Sequence, residues 1–168
     1  VVSRNDPAFR NPAKFIGPYY KAKEVAALKK KGMHIKPDPR GGFRRVVASP
    51  IPLRIVEAPS IKKFTKEAIV IAAGGGGIPV VELGGKLKGI ESVIDKDLAS
   101  AVLAVDLQTD LFIILTDVPC AYLDFKKPIQ KPLRRITLKQ AEQYMRVGHF
   151  GEGSMGPKVQ AAINYLRK

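Results

Sequence analysis

The residues that could do chemistry fall in four places along the 168-residue chain. Gly74, Gly75, Gly76 and Gly77 stand in a row directly after the apolar run Ile69-Val70-Ile71-Ala72-Ala73. Without Cβ atoms, such a loop lets main-chain N–H groups turn toward, and approach, an anion such as phosphate. Lys96 stands between Asp95 and Asp97 where a helical pattern opens. An aspartate can hold a lysine toward a phosphoryl group in transfer, whose anionic transition state needs positive charge already in place. Lys158 follows Ser154-Met155-Gly156-Pro157 in the first turn of the last helical pattern. The helix dipole disfavours a cation there by about 0.3–1 kcal/mol, so a lysine makes sense where an anion shares the helix start. Thr116-Asp117 closes a second apolar run, Leu111 to Leu115. Each signal has a plainer reading: a flexible turn for the glycines, local charge pairs for Lys96, a solvated lysine for Lys158, a turn or cap for Asp117. Together they describe a site that handles and transfers phosphate.

The elements that must position these residues follow from periodicity. Ile69–Ala73 and Leu111–Leu115 are short and wholly apolar, the pattern of strands buried on both faces. In an open α/β sheet ligands bind at the carboxyl ends of the strands, where the glycines and Thr116-Asp117 stand. Helices are predicted over Tyr19–Lys31, stopped by Gly32, over Pro59–Ala68, and over Asp97–Leu107 with Leu98, Ala101, Val102 and Val105 as its apolar stripe. The capping box Thr137-Leu138-Lys139-Gln140 opens another that Gly148 ends, and the last buries Val159, Ala162, Ile163 and Leu166. Gly84-Gly85 marks a hairpin, and Phe43–Val47 and Tyr122–Phe125 read as strands. Pro7, Pro12 and Pro18 argue against a long regular element before Tyr19. The helix–strand alternation predicts an α/β fold with a mostly parallel sheet sandwiched by helices.

Composition narrows the class. A formal charge of +14 fits nucleic acid, an anionic membrane surface or anionic small substrates. With no Trp, no RNP-like aromatic strand and no zinc-finger spacing, nucleic acid is not the expected partner. No apolar run reaches the ~18 residues that span a bilayer, so no membrane partner is expected either. Cys120 is the single cysteine, which rules out an intramolecular disulfide framework, fits a reducing cytoplasmic setting and reads as packing. His34 and His149 are isolated, so no metal ligand is assigned. The glycine run is not followed by Gly-Lys-Ser/Thr, and in a dinucleotide fingerprint its third glycine would fall on Pro79. The chain lacks an initiator Met, opens on Val1-Val2-Ser3 and stops within a helical pattern, so a piece of a larger domain, missing N-terminal and C-terminal parts, is expected.

The motifs and their order resemble one family. Asn11-Pro12-Ala13-Lys14-Phe15-Ile16-Gly17-Pro18, Arg44-Arg45-Val46-Val47-Ala48-Ser49-Pro50, the run from Gly74 to Val80, the segment from Gly89 to Ala99, Ile114-Leu115-Thr116-Asp117-Val118, and Gly148-His149-Phe150 through Lys158 are similar to carbamate kinases, members of the amino acid kinases. The resemblance spans essentially the whole chain. It implies the amino acid kinase fold, a three-layer αβα sandwich, and a homodimer using ATP/ADP with Mg²⁺. It implies the reaction of ATP and carbamate to ADP and carbamoyl phosphate, run mainly toward ATP in arginine or related catabolism. Residues 1–168 would form part of one such domain, with 11–45 a small protruding α+β subdomain and 46–168 the nucleotide-binding half. By position Lys96 and Lys158 match lysines that neutralise the phosphates, Asp97 the acid that orients them, and Lys14 a lysine that closes over the carbamate side. Gly74 to Gly77 and Ser154, Met155 and Gly156 would line the nucleotide site, and Thr116 through Tyr122 to Phe125 would border adenine and ribose. The sequence departs from the family pattern at Arg40-Gly41-Gly42-Phe43, at Pro119, and at Lys126, where a glycine is usual. The family's phosphate- and carbamate-binding loops upstream of Val1 are not in the chain, so activity of this piece alone is not expected.

Overall fold

The computed structural model describes residues 1–151 and 155–168. Two compact units form, Val1–Leu53 with Gly77–Asp95, and Arg54–Gly76 with Lys96–Lys168.

The first unit holds β1 (Lys14–Tyr20), α1 (Ala22–Lys30), β2 (Ile35–Pro37), β3 (Phe43–Val47), β4 (Val80–Leu83) and β5 (Lys86–Gly89). β1, β3 and β2 make an antiparallel sheet in that order, with Lys14 opposite Val47 and Ile35 opposite Arg45. β1 forms despite Pro18. It is an edge strand whose register shifts between Ile16 and Tyr20, with Gly17 at φ 67°, and an edge bulge is where a strand tolerates proline. That strand takes Tyr19 and Tyr20 from the expected helix, so α1 starts at Ala22, after the Lys21 N–H donates to the Glu24 carboxylate at 2.7 Å. The β4–β5 hairpin turns through Gly84 (φ 56°) and Gly85 (φ 73°), both in the left-handed region a two-residue turn requires. Val46, Val47, Ile35, Val81 and Ile94 are buried. Asp38 is buried as well; its carboxylate accepts from the Arg40 main-chain N–H and the Arg40 and Arg44 guanidiniums, pinning the loop between β2 and β3.

The second unit holds α2 (Ala58–Phe64), α3 (Lys96–Leu107), β6 (Ala121–Leu123), β7 (Lys131–Leu133), α4 (Leu138–Arg146) and α5 (Met155–Leu166). α2 carries Pro59 in its first turn, yet Phe64 and Ala68 are exposed and only Ala58 is buried. α5 packs against both α3 and α4. Val159 and Ile163 join Ala141 and Phe150 in one apolar cluster. Ala161 and Tyr165, absent from the single stripe read in the sequence, are buried too, while Leu166 is exposed. A helix flanked by two others needs more than one apolar face. α3 shows the same: Ala99, Ala101, Leu103 and Ala104 are buried, more of its circumference than the predicted stripe. The Thr137 capping box forms as read, with Gln140 N–H to Thr137 Oγ1 at 3.3 Å and Thr137 N–H to Gln140 Oε1 at 2.9 Å. At the other end Gly148 (φ 75°) and His149 donate to the carbonyls of Met145 and Tyr144, closing α4.

The two apolar runs expected inside a parallel sheet join no ladder among the described residues, and the ladders that do form are all antiparallel. A strand exists only through a neighbour's hydrogen bonds, and no described segment of this chain supplies them. Burial nevertheless alternates along the second run and from Ile69 to Ala72 of the first: Leu111, Ile113 and Leu115 are exposed, Phe112 and Ile114 half-buried. Phe112 stacks at a tilt on Tyr165 of α5, with ring centroids 5.4 Å apart.

Candidate functional site

A cleft of about 720 Å³ opens in the second unit. Its walls come from the segment after the 111–115 run, the β6–β7 turn, the end of α4 and the start of α5. Thr116, Asp117, Tyr122, Phe125, Met155 and Lys158, all singled out in the sequence, line it. Ser154 lies outside the described residues.

Lys158 is the fourth residue of α5, and its ammonium donates to an Asp97 carboxylate oxygen at 3.0 Å. Both side chains are mostly withdrawn from solvent, at 21% and 14% exposure. Asp97 falls in the first turn of α3, where a negative charge is favoured, and it supplies an anion to the lysine that the α5 dipole opposes. The pair holds an ammonium in place at the cleft wall.

Gly156, two residues earlier, is set by sterics. A Cβ there would lie 2.9 Å from the Gly151 carbonyl oxygen, which accepts the Gly156 N–H at 2.9 Å. Gly151 is itself a wall residue, so the glycine lets α5 start directly against the cleft. At the β6–β7 turn Asp124 and Lys126 take φ of 48° and 65°. Lys126 thus occupies a glycine-favouring conformation at the position where the resemblance expects glycine. The Lys127 ammonium bonds to Asp124 at 2.8 Å and holds that carboxyl below the usual carboxylate range. Tyr122 and Phe125 place their rings 5.7 Å apart, and the Cys120 side chain beside Tyr122 raises the phenol above its ordinary value. The walls therefore combine aromatic surface, two carboxylates in Asp117 and Asp124, and the ammonium groups of Lys126, Lys127 and Lys158. A planar aromatic base carrying an anionic chain has complementary groups there.

Other expected residues lie elsewhere. Gly74, Gly75 and Gly76 belong to the same unit without lining the cleft; Gly76 takes φ 88° in a turn whose N–H returns to Ala73. Lys96 is the exposed first residue of α3 and does not line it either. Gly77 (φ 81°) and Lys14 belong to the first unit, where the Lys14 ammonium pairs with Asp95 at 2.9 Å. The Asp95-Lys96-Asp97 triplet is thus divided: one acid serves Lys14, the other Lys158. Sequence reasoning left out Lys127, Val147 and Gly151, included Asp124 only within the 116–125 stretch, and took His149 for an ordinary polar residue, though all line the cleft. The Gly148 helix stop was the available signal, because it aims the following residues back across the end of α4. No group of three metal-ligating side chains occurs among the described residues.

Comparison with known proteins shows what the chain is similar to. The model of the amino acid kinase family matches residues 21–168. The chain is 51% identical to carbamate kinase of Thermoplasma volcanium over 99% of its own length and 55% of the relative's. With carbamate kinase of Clostridium perfringens the identity is 48%, over 99% of this chain and 54% of that one. The structure of carbamate kinase from Giardia lamblia bound to AMP-PNP superposes with a TM-score of 0.86 at 41% identity, covering 99% of this chain and 54% of the other. The chain spans about half the length of the curated relatives it matches.

Proposed function

The chain belongs to the amino acid kinase family and has an α/β fold of helices and sheets, and on that premise we propose that it is the nucleotide-handling part of a carbamate kinase. The reaction is ATP plus carbamate to ADP plus carbamoyl phosphate, run mainly toward ATP in arginine or related catabolism, by a cytoplasmic homodimer. Residues 46–168 form the nucleotide-binding half and 11–45 a small protruding subdomain.

The observation that carries this reading is the Lys158 ammonium, fixed by Asp97 at the wall of a cleft that also presents Tyr122, Phe125 and Asp117. Phosphoryl transfer asks little covalent chemistry of a protein; it asks for positioning and for positive charge already in place. Lys158 supplies that charge toward the phosphate chain, with Asp97 restricting its rotamers. Tyr122 and Phe125 offer surface to the adenine, and Asp117 offers an acceptor to the ribose. Lys96 acts as the second neutralising lysine, and Lys14, steadied by Asp95, serves the carbamate side. By the family resemblance, Gly74 to Gly77 and Ser154 are assigned to the phosphates. The Giardia relative's complex with AMP-PNP, an ATP analogue, supports the nucleotide assignment. Mg²⁺ enters as part of the metal–nucleotide substrate.

Calorimetric titration of the purified chain with MgATP tests the reading. Saturable binding, weakened in Lys158→Ala, is expected; a titration indistinguishable from buffer, with the chain folded, would remove it. Mixing the chain with ADP and carbamoyl phosphate is expected to yield no ATP, because the chain spans about half of each relative.

A further inference from the structure

We propose that Lys126 binds the anionic phosphate chain of the nucleotide, an inference that rests on the nucleotide reading of the cleft and adds a residue which that reading does not use. Three lysine ammonium groups line the cleft, those of Lys126, Lys127 and Lys158. Two are paired with carboxylates, Lys127 with Asp124 at 2.8 Å and Lys158 with Asp97 at 3.0 Å. An incoming anion meets each of these with a negative charge already beside it, which offsets part of the attraction. Lys126 differs. Among the described residues its ammonium meets no carboxylate, and it rests over the Phe125 ring, 5.6 Å from the centroid.

The backbone beneath it is held at a cost. Lys126 takes φ 65°, a conformation that glycine adopts freely and a residue with a Cβ does not. The turn fixes it there. The Lys126 N–H donates to Gln130 Oε1 at 3.1 Å, the Lys127 N–H to the Asp124 carbonyl at 3.0 Å, and the Gln130 N–H to the Lys127 carbonyl at 3.0 Å. Strain persists where surrounding bonds over-determine it, and it gathers at ligand clamps. Packing does not call for a lysine here, because the residue is exposed. What it brings to the cleft wall is an ammonium on a flexible stem.

That ammonium can move. A cation over a ring at an exposed site is weakly held, and the four-carbon stem rotates readily. Phe125 is 48% exposed and its ring stands 5.7 Å from that of Tyr122. When Lys126 turns from the ring toward a phosphate oxygen, the same movement bares the aromatic face offered to the base.

Calorimetric titration of the chain with MgATP, MgADP and adenosine tests the inference in wild type and in three variants. Lys126→Met keeps the stem without the charge, Lys126→Arg keeps the charge, and Lys126→Gly removes the side chain while relieving the backbone. Expected are losses of about fivefold or more for MgATP and MgADP in the Met and Gly variants, and near wild-type affinity in Lys126→Arg. Adenosine is expected to bind all three as it binds wild type. The losses are expected to shrink at high salt, which screens an exposed charge. Lys139→Ala, at an exposed lysine of α4 outside the cleft, is expected to match wild type throughout. Unchanged MgADP affinity in Lys126→Met and Lys126→Gly would overturn the proposal and leave the nucleotide reading standing. An equal loss for adenosine would overturn it too, by placing the side chain on base or ribose. Failure of the folded wild-type chain to bind MgATP would remove both.

Discussion

The Lys158 ammonium and the Asp97 carboxylate meet at 3.0 Å across 61 residues of sequence, joining the start of α5 to the start of α3. The pair accounts for a local oddity. A lysine near a helix N-terminus is electrostatically misplaced, whereas an aspartate in a first turn is well placed. Bringing the two helix starts together lets the aspartate offset the lysine's misplacement while leaving the ammonium at the cleft.

Lys158→Ala is expected to weaken ATP binding at least tenfold, about 1.4 kcal/mol. Asp97→Asn keeps the shape and the lysine but loosens its orientation, so its loss is expected to be smaller. Titration of both variants at two salt concentrations checks the order. Equal affinity of Lys158→Ala and wild type would detach this residue from the nucleotide.

Gly156→Ala tests the contact between α5 and the cleft wall. The new Cβ meets the Gly151 carbonyl at 2.9 Å, a main-chain atom that cannot swing aside. Overpacking of this kind costs about 1–3 kcal/mol, read as a lower urea midpoint. The same substitution at Gly75, where a Cβ meets nothing within 4 Å, is expected to leave the midpoint almost unmoved.

Lys126 at φ 65° carries a left-handed backbone on an L side chain. Lys126→Gly relieves that strain, against glycine's greater freedom when unfolded, for a net gain of about 0.5–1 kcal/mol. Lys126→Ala keeps the Cβ and is expected to give no such gain. Thermal melts of the two variants separate strain from side-chain effects.

Asp38 gives the first unit an acid limit. Hydrogen bonds from the Arg40 main chain and guanidinium, with Arg44 adding its own, hold its carboxyl below the ordinary 3.8. The folded state therefore binds the proton less readily than the unfolded chain. The stabilisation is complete above about pH 4 and is lost as pH falls through the lowered folded value. Amide protection across β2 and β3, corrected for the intrinsic exchange rate at each pH, is expected to fall below about pH 4 in wild type. In Asp38→Asn that protection is expected to be lower already at neutral pH and flat over that window.

What the sequence determined by itself was local and chemical. The Thr137–Gln140 box, the Gly148 stop and the Gly84-Gly85 turn formed as read, because each depends on the dihedral preferences and hydrogen bonds of a few consecutive residues. Lys158, Asp117, Tyr122 and Phe125, singled out in the sequence, line one cleft, and the motif order marked the family. Tertiary structure alone decided the partners: which acid of the Asp95-Lys96-Asp97 triplet serves Lys14 and which serves Lys158, contacts spanning 81 and 61 residues that no local rule encodes. It also decided that Pro18 lies in an edge strand and that α5 is buried on two sides. Ile69–Ala73 and Leu111–Leu115 show the boundary most clearly. Their composition specifies interior strands, but a strand is completed by a neighbour, and hydrogen bonds between segments are a property of the assembled fold rather than of either segment.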